Sequence, residues 1–174
     1  MSASLPPGFI RGVLQLCVVT RDYRRAVDDF LRLGIGPWRV YTFGPDSVTD
    51  MTYRGKPSAH VMKAALATTG AMEWEIIQPL QGPTIYDDFL DRHGGGVQHI
   101  AVDCAGATWT EKVSRFEAAG FRVVQSGNWL GRMPYAYFEA EAAPGTIFEI
   151  WEEQPGFVMP EPEEWWPARS GPGT

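Results

Sequence analysis

The chain is written twice, and no other property constrains its fold as strongly. Residues 13–22, VLQLCVVTRD, make an apolar strand-like run. YRRAVDDFLRLG follows, with Tyr23, Ala26, Val27, Phe30, Leu31 and Leu33 at helical spacing. Asp22 is placed to cap that helix and Gly34 to stop it. Three strand-like segments come next, PWRVYTF (37–43), HVMKAALA (60–67) and MEWEIIQ (72–78), with Gly70 in the turn between the last two. The second half repeats that order. VQHIAVDC (97–104) is its first strand, and Thr108 with Glu111 forms a capping box. The helix behind it carries Trp109, Val113 and Phe116 on one face and stops at Gly120. FRVVQS (121–126), YAYFEA (135–140) and TIFEIWE (146–152) close the unit, with Gly145 in the last turn.

Each half is therefore strand, helix and three strands, which predicts an α+β chain of two βαβββ modules over 11–80 and 97–153. Residues 81–96 join them through a short helix that starts at Pro83 and ends at the glycines 94–96. Residues 154–174, rich in Pro, Gly and Glu, are expected to pack through Trp165 and Trp166 without forming a regular element. At 174 residues the chain is long enough for one domain with a proper core, or for two small half-domains sharing one.

Two pairs of polar residues break the apolar pattern at matching places. Gln15 stands inside the first strand, where an unpartnered buried amide costs roughly 1–3 kcal/mol. Superposing the halves aligns Gln15 with His99, and Glu75 in EWEII with Glu149 in IFEIW. A pseudo-twofold axis would bring the four together as one imidazole nitrogen and three oxygens, two of them anionic. That set suits a divalent ion such as Zn, Ni, Co or Mn and is neutral with it, which resolves the burial of all four residues. Taken singly, each residue has a plainer reading: a hydrogen-bonded Gln, a core His, a solvent-facing Glu. The coincidence of two pairs favours ligation.

Other features are weaker. Cys17 and Cys104 read as buried free thiols, with a disulfide left open by spacing alone. His93 suits the end of the linker helix, and GGG at 94–96 lacks the strand–turn–helix context of a phosphate loop. Trp38, Tyr41 and Phe43, and likewise Tyr135 and Tyr137, alternate as core aromatics able to line an apolar pocket. Arg39, Arg54 and Arg132 suit either an anionic substrate group or solvent. A net charge of −6 and a pI near 5.0 argue against nucleic acid as a partner. No apolar run approaches the ~20 residues of a membrane span. MSASLPPGFIRG lacks the regions of a signal peptide, so a cytoplasmic location is expected.

LQLCVVTRDYRRAVDDF, MEWEIIQPL, GGGVQHIAVD and PGTIFEIWE, spread over residues 11–153, resemble the vicinal oxygen chelate superfamily. That superfamily includes glyoxalase I, methylmalonyl-CoA epimerase, extradiol dioxygenases and the fosfomycin and bleomycin resistance proteins. The resemblance implies modules curling into a half-open, barrel-like mixed sheet around a metal, the glyoxalase/bleomycin resistance/dioxygenase fold. It implies the ligands Gln15, Glu75, His99 and Glu149. The first position is most often His in the superfamily; with Gln there, the set resembles some zinc-type glyoxalase I enzymes. The linker helix and GGGVQHIAVD are closer to the epimerase branch. Extradiol dioxygenases and fosfomycin-type transferases use two His and one carboxylate, so both are disfavoured.

The implied activity is that of a metal-dependent isomerase, epimerase or glyoxalase-type lyase. It would take a small molecule with adjacent oxygens and shift a proton through an enolate or enediolate, with Glu149 the first choice of base and Glu75 the second. Two-base epimerases of the superfamily carry another glutamate on the third strand, near Met62 or His60 here. HVMKAALA holds no acid; His60, on the strand face of Met62, could replace it, although a satisfied or exposed histidine is the plainer reading. His60, Met62, Trp38 and Tyr137 are the expected substrate contacts, and a homodimer is expected. The alternatives are a non-catalytic, small-molecule-binding protein of the resistance type, or a specialised metal-dependent enzyme of secondary metabolism or catabolism. A glutathione adduct, an acyl-CoA and a hydroxy ketone all fit as substrate.

Overall fold

The computed structural model describes residues 4–104, 108–140 and 147–168. Local sequence signals start and stop most elements. β1 (Ile10–Val19) leads into α1 (Tyr23–Arg32), whose first turn is capped by Asp22 accepting the Arg25 amide. Then come β2 (Trp38–Phe43), β3 (Val48–Tyr53), β4 (Lys56–Pro57), β5 (Val61–Thr69) and β6 (Met72–Gln81). The linker helix α2 (Ile85–His93) is capped by Thr84, so it begins just after the expected Pro83, and left-handed Gly94 ends it. The second module runs through β7 (Gly96–Cys104), α3 (Trp109–Ala118), β8 (Phe121–Trp129), β9 (Met133–Ala140) and β10 (Ile147–Trp151), and β11 (Glu164–Trp166) follows. The Thr108–Glu111 capping box is present in full. The turn expected at Gly145 lies outside the described residues.

Among the described residues, eleven strands form one mixed sheet in the order β11-β2-β5-β6-β1-β7-β10-β9-β8-β3-β4. The modules meet within one chain: β1 runs antiparallel to β7, parallel β6 flanks β1, and parallel β10 flanks β7. The sheet is an open barrel with the helices placed by their apolar stripes. α1 packs Val27 against Trp38, Val40, Ala65 and Ile76 on the outer face, and α3 packs Phe116 against Val102, Phe138 and Ile150. Each such large side chain contributes roughly 1.5–3 kcal/mol by leaving water. α2 instead sends Ile85, Tyr86 and Leu90 into the inner core with Tyr41, Met62 and Tyr137, so it closes one end of the barrel.

Three parts of this architecture differ from the sequence expectation. VTDMTY (48–53) becomes β3, which leaves its own module and pairs with β8 of the other. Its pattern of single apolar residues among Thr and Asp carries no strand period; the partner strand supplies the order. KP at 56–57 folds back on it as β4. The C-terminal segment, expected to be irregular, adds β11 to the free edge of β2 through the pairs Glu164↔Val40 and Trp166↔Trp38. Cys17 and Cys104 are both buried and free. Among the described residues, no helix is long and apolar enough to cross a membrane.

Candidate metal centre

Strand register places the four ligand candidates. In one row across the sheet, Gln15 on β1 faces Ala101 on β7, which in turn faces Glu149 on β10. In the next, Glu75 on β6 faces Cys17, which faces His99. Exchanging Gln15 with His99 and Cys17 with Ala101 maps the β1–β7 ladder onto itself. The same exchange turns the pair Cys17↔Glu75 into Ala101↔Glu149. The repeat read from sequence is thus the symmetry of the ladder.

Gln15, Glu75, His99 and Glu149 are all buried. His99 Nε2 lies 3.2 Å from a Glu75 carboxylate oxygen and 3.1 Å from one of Glu149. Gln15 Oε1, Glu75 Oε2 and His99 Nε2 each lack a hydrogen-bond partner. Orphaned donor atoms of this kind, two of them on groups that carry charge, are what a bound cation would satisfy, and N/O donors suit a divalent ion. The Cys17 thiol belongs to the cluster as well, its sulfur within 4.8 Å of the Glu75 and His99 donor atoms. Burial, reinforced by the charge of Glu75, pushes that thiol well above its ordinary range and keeps it protonated.

The imidazole is oriented from behind. His99 Nδ1 lies 2.6 Å from Gln98 Oε1, an acceptor, so Nδ1 keeps its hydrogen and Nε2, facing the carboxylates, is the atom that would give up a proton to an ion. Burial disfavours the imidazolium, but the Glu149 and Glu75 carboxylates beside Nε2 outweigh it and hold His99 at about 9 without a metal. Burial raises the Glu149 carboxyl, against the pull of His99, and the Tyr137 hydroxyl also hydrogen-bonds it. At neutral pH the metal-free centre therefore holds a proton that a cation must displace. Apparent zinc affinity should rise about tenfold per pH unit between pH 6 and about 9 and level off above. A competition titration with a chromophoric chelator reads this directly, and a flat profile would remove His99 from the ligand set.

Gln15 is held in one orientation by a short relay. Its Nε2 donates to Glu73 Oε1 at 2.9 Å, and Arg39 donates to Glu73 Oε2 at 2.9 Å. A carboxylate offers only acceptors, so the amide must turn its NH2 toward Glu73 and its carbonyl away from it, the oxygen that stands unpartnered. Glu73→Ala should weaken zinc binding by about 10–100-fold, the usual effect of losing a group that orients a ligand. In a Gln15→Ala background there is no amide to orient, and Glu73→Ala should then change zinc affinity little. Equal losses in both backgrounds would show that Glu73 acts on the fold and not on the amide.

Gln15, Glu75 and Glu149 open onto a cavity of about 240 Å³. Phe43, Met62, Leu66, Trp129, Met133 and Trp151 form much of its wall, with Tyr135 and Tyr137 nearby. Gly127 makes room at the back: a Cβ there would strike the Tyr135 hydroxyl. Of the expected substrate contacts, Met62 and Tyr137 line the cavity, and Trp38 and His60 do not. Trp38 differs in parity from Tyr41 and Phe43, so strand alternation turns it to the outer face against Phe30 of α1. His60 precedes β5, which begins at Val61, so the strand alternation that places Met62 does not extend to it. It is buried beside Ser58 and Gly82, and burial lowers its pKa. The arginines are also engaged elsewhere. Arg39 binds Glu73, Arg54 binds Asp88 and Glu139, and Arg132 donates to the Pro155 carbonyl. His93 packs against Phe89 in a tilted ring pair at the exposed end of α2.

Sequence reading passed over Gln98, Glu73 and Cys17. The first two had a signal: Gln98 is a second polar residue in the strand of His99, and Glu73 shares the strand face of Glu75. Cys17 looked like an ordinary buried thiol, and only the register shows what it faces.

Comparisons with known proteins bear on the family and the fold. The family model described as the Glyoxalase/Bleomycin resistance protein/Dioxygenase superfamily matches residues 14–137. The fold is similar to methylmalonyl-CoA epimerase from Mycobacterium tuberculosis, with TM-score 0.64 and 18% identity over 87% of this chain and 94% of that one. It is similar to a hypothetical protein from Bacillus halodurans C-125, with TM-score 0.58 and 14% identity over 85% and 98% of the two chains. A Streptomyces coelicolor methylmalonyl-CoA epimerase variant in complex with 2-nitronate-propionyl-CoA gives TM-score 0.54 and 14% identity over 87% and 99%. No match is found among curated proteins.

Proposed function

We propose a function from the premise that this chain belongs to the glyoxalase/bleomycin resistance protein/dioxygenase superfamily: it is a divalent-metal-dependent isomerase, epimerase or lyase that moves a proton on a substrate carrying two adjacent oxygens. The observation that carries this reading is the pair of buried carboxylates, Glu75 and Glu149, within 3.2 Å and 3.1 Å of the same imidazole nitrogen at the floor of a cavity. Gln15, Glu75, His99 and Glu149 would hold the ion, with zinc, nickel, cobalt and manganese all suited to the donors. When bound, such an ion polarises a substrate carbonyl and acidifies the neighbouring C–H.

Glu149 is the base. Its burial raises the carboxyl and makes the ionised form a stronger acceptor for a carbon-bound proton, and the Tyr137 hydroxyl steadies it. Glu75 reaches the centre from the other module and is the partner that returns or receives a proton, since β5 supplies no acid. Gln98 and Glu73 hold His99 and Gln15 in place. The apolar walls exclude water from the transferred proton.

Zinc-loaded protein incubated in D2O with a hydroxy ketone, a glutathione hemithioacetal and methylmalonyl-CoA should incorporate solvent deuterium into at least one of them. Protein that takes up stoichiometric zinc and exchanges none would count as a binding protein and not a proton-transfer enzyme.

A further inference from the structure

We infer that the substrate of this cavity is a compact apolar or aromatic molecule whose polar part is its chelating oxygen pair, and that the C-terminal segment selects it. The inference rests on the proposed proton-transfer reading for its chemistry and on the cavity wall for its content.

Charge is the first observation. The acids Glu73, Glu75, Glu149 and Glu153 line the cavity, and among the described residues no Lys or Arg does. A divalent ion would balance Glu75 and Glu149, and Arg39 balances Glu73, which leaves the site with a residual negative charge and no free cation among its described lining residues. A second anionic group on the substrate, a carboxylate or a phosphate, meets no partner there and loses its hydration. Size is the second observation. About 240 Å³ lies below the roughly 300–1,000 Å³ of sites that hold drug-sized ligands. The walls are aromatic and methionine-rich: Trp129, Trp151 and Phe43 offer flat faces, and Met62, Met133 and Met159 adapt around a ring.

The third observation is how the wall is finished. After β10 the chain is fastened to the second module, Gln154 donating its amide to the Arg132 carbonyl at 2.9 Å. Phe157 packs on Trp129 with ring centroids 5.9 Å apart, and Met159 enters the cavity lining. The segment is then fastened to the first module. The Tyr41 hydroxyl donates to the Pro160 carbonyl at 3.2 Å, and Glu163 accepts the Thr42 amide at 2.7 Å and its hydroxyl at 2.9 Å. β11 completes the attachment along β2, and the Trp166 indole donates to Asp28. Both ends being fixed, residues 154–166 form a strap that bounds the room available beyond the oxygen pair.

Hydroxamates present two adjacent oxygens and test this by binding alone, in the zinc-loaded full chain, by calorimetry. Benzohydroxamate should bind about tenfold or more tighter than acetohydroxamate, from burial of the ring, and tighter by a similar factor than 4-carboxybenzohydroxamate. Met159→Ala and Phe157→Ala should each weaken benzohydroxamate by about tenfold while leaving zinc and acetohydroxamate affinities unchanged. Equal binding of the three probes, preference for the carboxylated one, or no binding of any overturns the inference, and indifference to both strap variants overturns the role of the strap. Deuterium exchange confined to methylmalonyl-CoA or the glutathione adduct would also overturn it, with the proton-transfer reading intact. The expected probe preference without exchange into any compound would retain the cavity's selectivity and remove the proton-transfer reading.

Discussion

Glu149→Gln should leave zinc bound and lower proton exchange by about 10²–10⁴-fold, the contribution usual for a positioned acid–base group. The amide keeps a carbonyl oxygen where the carboxylate stood, so the donor count is preserved. What disappears is the group able to accept a proton from carbon, held ready by burial against His99 and Tyr137. Metal content and deuterium incorporation measured on the same preparation separate the two effects. Turnover equal to wild type would take the base assignment away from Glu149, and Glu75→Gln, tested alongside, would show whether it passes to the other carboxylate.

His99→Ala should be the most damaging change to the centre, both with and without metal. With metal, the imidazole donor is gone, and zinc affinity should fall by more than the 10–100-fold expected for an orienting residue. Without metal, His99 is the cation between Glu75 and Glu149, fully buried and held at about 9. Removing one member of a buried ionic cluster costs about 3–5 kcal/mol, because the remaining charges keep their desolvation without their partner. The carboxylates can relieve this by taking up a proton, which the raised Glu149 does more readily in the folded than in the unfolded chain. The variant should therefore recover stability as pH falls through the folded-state value of Glu149. Urea denaturation of both metal-free proteins at pH 7.5 and 5.5 checks this; a loss under 1 kcal/mol at both would mean the carboxylates do not rely on His99.

Much of the centre was legible because the repeat carries its own alignment. Gln15 with His99, and Glu75 with Glu149, could be paired by counting along two copies of one pattern, and the ladder obeys that pairing. Parity explains one miss: two residues separate Trp38 from Tyr41, so the tryptophan faces out. An element boundary explains another, since counting by twos from Met62 to His60 runs past the start of β5 at Val61. β3 and β11 were hidden for a different reason. VTDMTY and EWW are strands only because β8 and β2 offer unpaired edges to them, and an edge is a property of the assembled sheet that no local window contains.

The crossing of β3 alters what the duplication can do. The turn at residues 44–47 joins β2, the outermost strand of the first copy, to β3, hydrogen-bonded only within the second copy's half of the sheet. A chain cut in the linker would therefore not yield two complementary modules. The N-terminal fragment would carry away the strand that covers β8, and β1 and β7 would each lose the neighbour that buries them. Exchange of halves between two molecules faces the same obstacle, because a swapped copy must bring the crossing strand with it. The twofold holds among the residues around the centre, while the chain that carries them is cross-braced into one cooperative unit.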